Sequence, residues 1–184
     1  MQRIKNITDR VYIVGRGESL QYLTREHFGE GVVITINRAI LKVNCLGLPN
    51  RIFAMQKDGN KAGLLPCNNE CYRCNRNAVD PGPAQMIINW QSINCFPDLD
   101  RIFVDESLGK SQHPSAVVAV WLAKYMGARE IIMLCFDSIT GNIKAFDPLN
   151  GKIEQFEPYR RGMTMTLEAL GNIQHKFITP CLIS

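Results

Sequence analysis

SAVVAVWLAKYMGAREIIMLCFDS, residues 115–138, is the stretch that decides the fold. Its first half follows Pro114, opens on Ser115 in a capping position, is apolar on nearly every side, and halts at Gly127. A helix apolar all round is buried on more than one side, so this one is expected to lie sandwiched against a sheet. The second half, EIIMLCF at 130–136, is a continuous apolar run rather than an alternating one, and Asp137 closes it. Such a run fits a strand covered on both faces, as in a parallel sheet with helices on either side.

Working outward, the same short β-branched and aromatic runs occur at 11–15 (VYIVG), 31–36 (GVVITI), 51–55 (RIFAM), 86–90 (MIINW) and 101–104 (RIFV). Helical patterns fall at 18–28 and 160–175, besides 115–127. Strands alternating with helices predict an α/β chain: a Rossmann-like, doubly wound, mostly parallel sheet with helices on both faces. The segment 57–83 is polar and rich in Gly, Pro and Asn, with no periodicity, and reads as a long irregular excursion within a single domain spanning 1–184.

Composition narrows the function classes. No apolar run approaches the roughly 20 residues of a membrane span, so no membrane partner is expected. MQRIKNITDR carries no apolar stretch of a secretory signal, and seven cysteines, an odd number, fit reduced thiols in a cytoplasmic setting. The net charge of +4 is spread along the chain, its densest local point being Arg160 and Arg161, which argues against a nucleic-acid partner. Oligomeric state is not legible.

VYIVGRGESL, residues 11–20, is the motif with chemistry in it. After a first strand, Gly15 and Gly17 would let the backbone turn sharply and approach a phosphate, with Ser19 at the start of the next helix. Leu20 stands where the third glycine of the dinucleotide fingerprint belongs, and the second strand ends in Thr35-Ile36-Asn37 instead of a ribose-binding acid. A phosphate cradle and a plain strand-to-helix turn both fit the turn by itself. On the cradle reading, Gly17→Val blocks a nucleotide while leaving the fold intact.

Taken in order, VYIVGRGESL, VVITINRAI, RIFAMQKD and SAVVAVWLAKYMGAREIIMLCFDS resemble two related groups: the bacterial sialyltransferases of glycosyltransferase family 42 and the MptE-like (DUF115) proteins. The resemblance covers about 11–58 and 113–138, and more loosely the tail HKFITPCLIS. It implies a nucleotide or nucleotide-sugar ligand of the CMP type, with Gly15, Gly17 and Ser19 at a phosphate, Asn37 bonding sugar or phosphate, and Ser115 at the ribose-phosphate edge. Glu18 stands in place of a family proline and Ala116 in place of a glycine. For catalysis, Tyr159 with Arg160 and Arg161 would form a phosphate clamp, and His113 or His175 the base.

Asp58 and Asp137 each follow a strand and are expected at the same cleft, where they would either hold Mg2+ against a diphosphate or cap the following turns. The first alternative suits an MptE-like diphosphotransferase. Asp105 and Glu106 carry the same ambiguity. Cys67, Cys71 and Cys74 give C-x3-C-x2-C, read either as structural zinc, with Cys95 or a histidine as fourth ligand, or as plain thiols in a loop. Cys45, Cys95 and Cys135 read as small core hydrophobes. A non-catalytic binding module of the same fold is the third functional expectation.

Overall fold

The structure, a computed structural model, describes residues 2–56, 81–89, 101–104, 114–140 and 156–181. Its strands are β1 (Arg10–Val14), β2 (Val32–Ile36), β3 (Arg51–Met55), β4 (Gln85–Asn89), β5 (Arg101–Val104), β6 (Glu130–Leu134) and β7 (Gln174–Ile178). They form one seven-stranded sheet in the order β5-β4-β3-β2-β1-β6-β7. Every neighbouring pair is parallel. The chain therefore builds outward from β1 to β5 on one side, then returns to lay β6 and β7 on the other. This is the doubly wound α/β architecture that the continuous apolar runs predict.

Both faces of the central strands are covered, and successive side chains go to opposite cores. Val11, Ile13, Ile34 and Met133 belong to one cluster. Tyr12, Val14, Val33 and Leu134 belong to the other. All five residues of β2 are buried. Burying each such aliphatic side chain contributes about 1.5–3 kcal/mol, which is why runs without polar alternation settle in the middle of the sheet.

The first core lies under α2 (Ser115–Tyr125), which packs over β1 and β2 and against α4 (Phe156–Glu168), whose Met163 joins the same core. Packed against both the sheet and α4, α2 buries Val117, Val118, Ala119, Val120, Leu122 and Ala123. Its cap residue is Pro114, with no side-chain bond, so Ser115 belongs to the first helical turn and is not the cap. Its end is a Schellman turn. Ala128 N donates to Ala123 O at 3.1 Å, Gly127 N donates to Lys124 O at 3.0 Å, and Gly127 takes φ +91°, which a side chain would resist. The second core lies under α1 (Ala39–Asn44) and two 3-10 helices, Glu18–Tyr22 and Arg25–His27.

Those 3-10 helices replace the single helix expected over 18–28. Leu23 and Thr24 are extended between them, and Thr24 starts the second with a capping box closed by His27. A threonine that caps locally competes with continuing a helix, and here the cap wins. The helix expected over 160–175 likewise ends at Glu168. Gly171 turns at φ +66° and Gln174–Ile178 becomes β7, paired to the open edge of β6. At the amino ends of the strands, Glu130 bonds Arg10 on one side and Lys176 on the other, at 3.1 Å for the latter, tying β1, β6 and β7. The lysine and arginine bonds hold the Glu130 carboxyl below its ordinary range. Among the described residues no helix is long and apolar enough to cross a membrane.

Candidate functional site

Because β2 to β5 lie on one side of β1 and β6 and β7 on the other, the chain leaves the carboxyl ends of β1 and β6 in opposite directions. Open α/β sheets form their ligand crevice at such a switch point. Here it brings the glycine turn against the end of β6. Gly15 N donates to Leu134 O and Gly17 N donates to Cys135 O, both at 2.8 Å. The two amides most often credited with holding phosphate are thus occupied by strand-like bonds to β6.

Gly17 has φ −63° and ψ 166°, a conformation any residue adopts. What requires glycine is space. A Cβ at 17 would run into the Asp137 carboxylate and come within 2.7 Å of Cys135 O. At Gly15 it would meet Cys135 O at 2.5 Å. The expectation that Gly17→Val leaves the fold intact is therefore corrected: both glycines are demanded by the protein's own backbone before any ligand arrives.

Asp137 begins α3 (Asp137–Thr140) and reaches back into the glycine turn. Its Oδ2 accepts from Ser19 N at 3.1 Å and from Ser19 Oγ at 2.8 Å. Asp137 is 2% exposed and Ser19 5%. An internal carboxylate thus takes the donors that the sequence offers to a phosphate.

Cys135, between β6 and Asp137, is 1% exposed and has φ +62°, a left-handed conformation that costs about 1 kcal/mol outside glycine. Its backbone is fixed on both sides, N donating to Ile178 O at 3.2 Å and O accepting from Gly17. Burial pushes its thiol up to about 12, the Ser19 hydrogen bond opposes this, and the Asp137 charge adds to it. At neutral pH it is a buried neutral thiol and no nucleophile. The folded pKa lies above the ordinary 9.0, so this group's stabilisation is complete below about pH 9 and is lost as pH rises toward 12. Alkylation of native protein at pH 8 with peptide mapping is expected to mark Cys45 and Cys181, both exposed, and to spare Cys135 until the chain unfolds. Cys45 is therefore not the core hydrophobe its sequence context suggests.

The other site candidates distribute around this centre. Asn37 follows β2 with φ +51°, and its N donates to Met55 O at 2.9 Å. Asparagine tolerates this left-handed position, so the backbone alone accounts for it. Asn37→Gly is expected to keep stability and Asn37→Ala to lose about 1 kcal/mol, read by urea unfolding. If Asn37 also holds a ligand, the glycine variant separates the roles by remaining stable while losing affinity.

Helices that precede parallel strands start at the carboxyl edge, so Ser115, at the start of α2, and Tyr159 and Arg160, in the opening turns of α4, lie at the same edge as the glycine turn. His175 does not. It lies on exposed β7 opposite Ile131, toward the amino ends of the strands, which removes it as a base for this crevice. His113, Asp58, Asp105, Glu106, Cys67, Cys71, Cys74 and Cys95 lie outside the described residues. Among the described residues no three His, Cys, Asp or Glu side chains group as metal ligands.

Gln56 is a site-edge residue that sequence reasoning missed. It follows β3 directly, is 1% exposed, and its N donates to Ile87 O at 2.8 Å. A polar residue immediately after the apolar run RIFAM was the available signal.

Sheet order and side-chain bonds together define a doubly wound α/β domain whose switch point holds a glycine turn closed by a buried serine–aspartate pair. No family model, no curated protein and no solved structure matches the chain.

Proposed function

We propose that this domain binds a nucleotide or nucleotide-sugar, in the manner of the sialyltransferase-like glycosyltransferases that its ordered motifs resemble. The observation that carries the reading is the meeting of the Gly15-to-Ser19 turn with Asp137 at the switch point between β1 and β6, where open parallel sheets bind ligands. Ser115, Asn37 and Arg160 stand at the same edge and supply uncharged and cationic partners. With a CMP-sugar, the chemistry would be displacement at the anomeric carbon, the departing phosphate being stabilised by a cation and by positioned donors.

The second reading is an MptE-like diphosphotransferase. The buried Asp137 carboxylate at the end of β6 favours it, since Mg2+ is commonly held by one or two carboxylates together with substrate phosphates. In that case Asp137 would hold the ion and the ion would neutralise phosphate charge.

Thermal unfolding with millimolar CMP, CDP, UDP, GDP and ATP, each with and without Mg2+, tests both. A ligand at a hundred times its Kd adds about 2.7 kcal/mol, a shift of roughly 5–10 °C for a chain of this size. A metal-independent shift with cytidine nucleotides is expected. A shift only with ATP and Mg2+ supports the diphosphotransferase, and no shift with any of them refutes nucleotide binding.

A further inference from the structure

We infer that the hollow at the amino ends of β2 and β3, on the opposite edge of the sheet from the glycine turn, is a second binding site, for a small organic carboxylate with an apolar body. The inference is independent of the nucleotide reading, because it uses neither the switch point nor any residue assigned to it.

The chain leaves the Arg25–His27 turn through Phe28, Gly29, Glu30 and Gly31 into β2, and it enters β3 through Leu48, Pro49 and Asn50. Between these two connections lies a cavity of about 460 Å³. That falls within the roughly 300–1,000 Å³ of small-molecule sites. Phe28 and Leu48, half-buried against the second core, give it an apolar lining together with Pro49.

The walls are held in place without a ligand. Asn50 Nδ2 donates to Gly29 O at 2.8 Å and to Gly31 O at 2.9 Å, which ties one connection to the other. Gly29 N donates to the Tyr12 hydroxyl at 2.8 Å, and the Phe28 ring centroid lies 5.3 Å from that of Tyr12. A Cβ at Gly31 would meet Arg10 O at 2.7 Å, so the loop runs tight against the start of β1. A site whose backbone is already fixed loses little freedom when a ligand enters.

The polar groups on the lining select the class of ligand. Arg25 and Arg51 both border the cavity and both are exposed. Arg51 is positioned by uncharged contacts: Nη2 donates to Gln85 Oε1 at 2.9 Å, and Cζ stands 4.8 Å from the Phe53 ring centroid. Among the described residues, no acid forms an ion pair with either arginine. The planar fork of a guanidinium matches the two oxygens of a carboxylate or a phosphate. Glu30, on the same lining, decides between them. Two arginines against one glutamate leave one net positive charge, which a singly charged carboxylate balances and a doubly charged phosphate exceeds.

A ¹H–¹⁵N NMR titration of the native chain with benzoate, benzyl alcohol and phenyl phosphate, at pH 8 and low salt, tests this. Benzoate is expected to move the Gly29 and Gly31 amide signals and the Asn50 side-chain signals. It is expected to bind roughly 10-fold tighter than benzyl alcohol, because a charge-assisted pair is lost with the alcohol. It is also expected to bind several-fold tighter than phenyl phosphate, which carries close to two charges at that pH. Arg25→Met is expected to weaken benzoate about 10-fold, and Glu30→Gln to bring phenyl phosphate level with benzoate. Benzyl alcohol binding the native chain as tightly as benzoate overturns the inference, since the hollow then selects no anion. Phenyl phosphate binding it more tightly than benzoate overturns the choice of a carboxylate. No movement of these signals at tens of millimolar benzoate overturns the site itself. Should either variant fail to fold, the ranking of the three probes on the native chain decides. Each of these outcomes leaves the thermal shifts with nucleotides untouched, so failure here and failure of the functional proposal are read separately.

Discussion

Gly17→Ala is expected to lower the unfolding free energy by about 3 kcal/mol and the unfolding temperature by roughly 6–12 °C. The cause is overpacking at a place with nowhere to relax. The added methyl would meet the Asp137 carboxylate on one side and the Cys135 carbonyl, at 2.7 Å, on the other. That carbonyl is the acceptor for Gly17 N itself, so moving it away breaks a bond that holds β1 to β6. Backbone preference contributes nothing, because Gly17 has an ordinary negative φ. Thermal unfolding of the variant without ligand is the measurement. Unchanged stability would show that the turn has room and that glycine is there for a ligand alone.

The second large effect separates charge from hydrogen bonding at Asp137. Asp137→Ala is expected to cost about 2–3 kcal/mol, because it leaves the buried Ser19 amide and hydroxyl without their shared acceptor. Asp137→Asn retains an acceptor and removes a buried charge, so it is expected within about 1 kcal/mol of the native chain by urea unfolding. If both variants lose stability equally, the charge itself holds the turn. If neither does, the pair is not structural. Combining Gly17→Ala with Asp137→Ala is expected to cost less than the sum of the two, since the alanine at 137 removes one of the atoms that the methyl strikes.

These outcomes bear on what the glycine motif means. G-x-G after a first strand is usually discussed for the ligand it admits, yet here the adjacent strand makes the same demand. Gly15 and Gly17 lie where β6 passes so close that its carbonyls take both amides. The motif marks a crowded switch point. Cys135 follows the same logic. It accepts a left-handed backbone because bonds to Ile178 and Gly17 hold it there, and its burial makes the thiol inert.

Much of the fold was legible because the central strands are buried on both faces and carry no polar alternation to confuse the pattern. The runs at 11–15, 31–36, 51–55, 86–90, 101–104 and 130–136 all became strands, and 115–127 gave the helix packed on the sheet and against α4. β7 was not legible. Gln174, His175 and Lys176 are exposed, so the strand has no apolar signature and exists because β6 offers an unpaired edge. The helix expected over 18–28 failed for a local reason, the cap at Thr24, whose signal was weaker than the apolar spacing around it.

At the site, the sequence by itself determined which residues are polar at strand ends: Ser19, Asn37 and Asp137, each following an apolar run. It also determined that small residues sit at 15 and 17. Only the tertiary structure decided that Ser19 and Asp137, 118 positions apart, are partners, and that Gln56 belongs to the same edge. The physical reason is strand order. Apolar periodicity says that a segment is a buried strand, but it is indifferent to which strand lies beside it. The placement of β6 against β1, and not beyond β5, brings a glycine motif and a distant aspartate into one packed site.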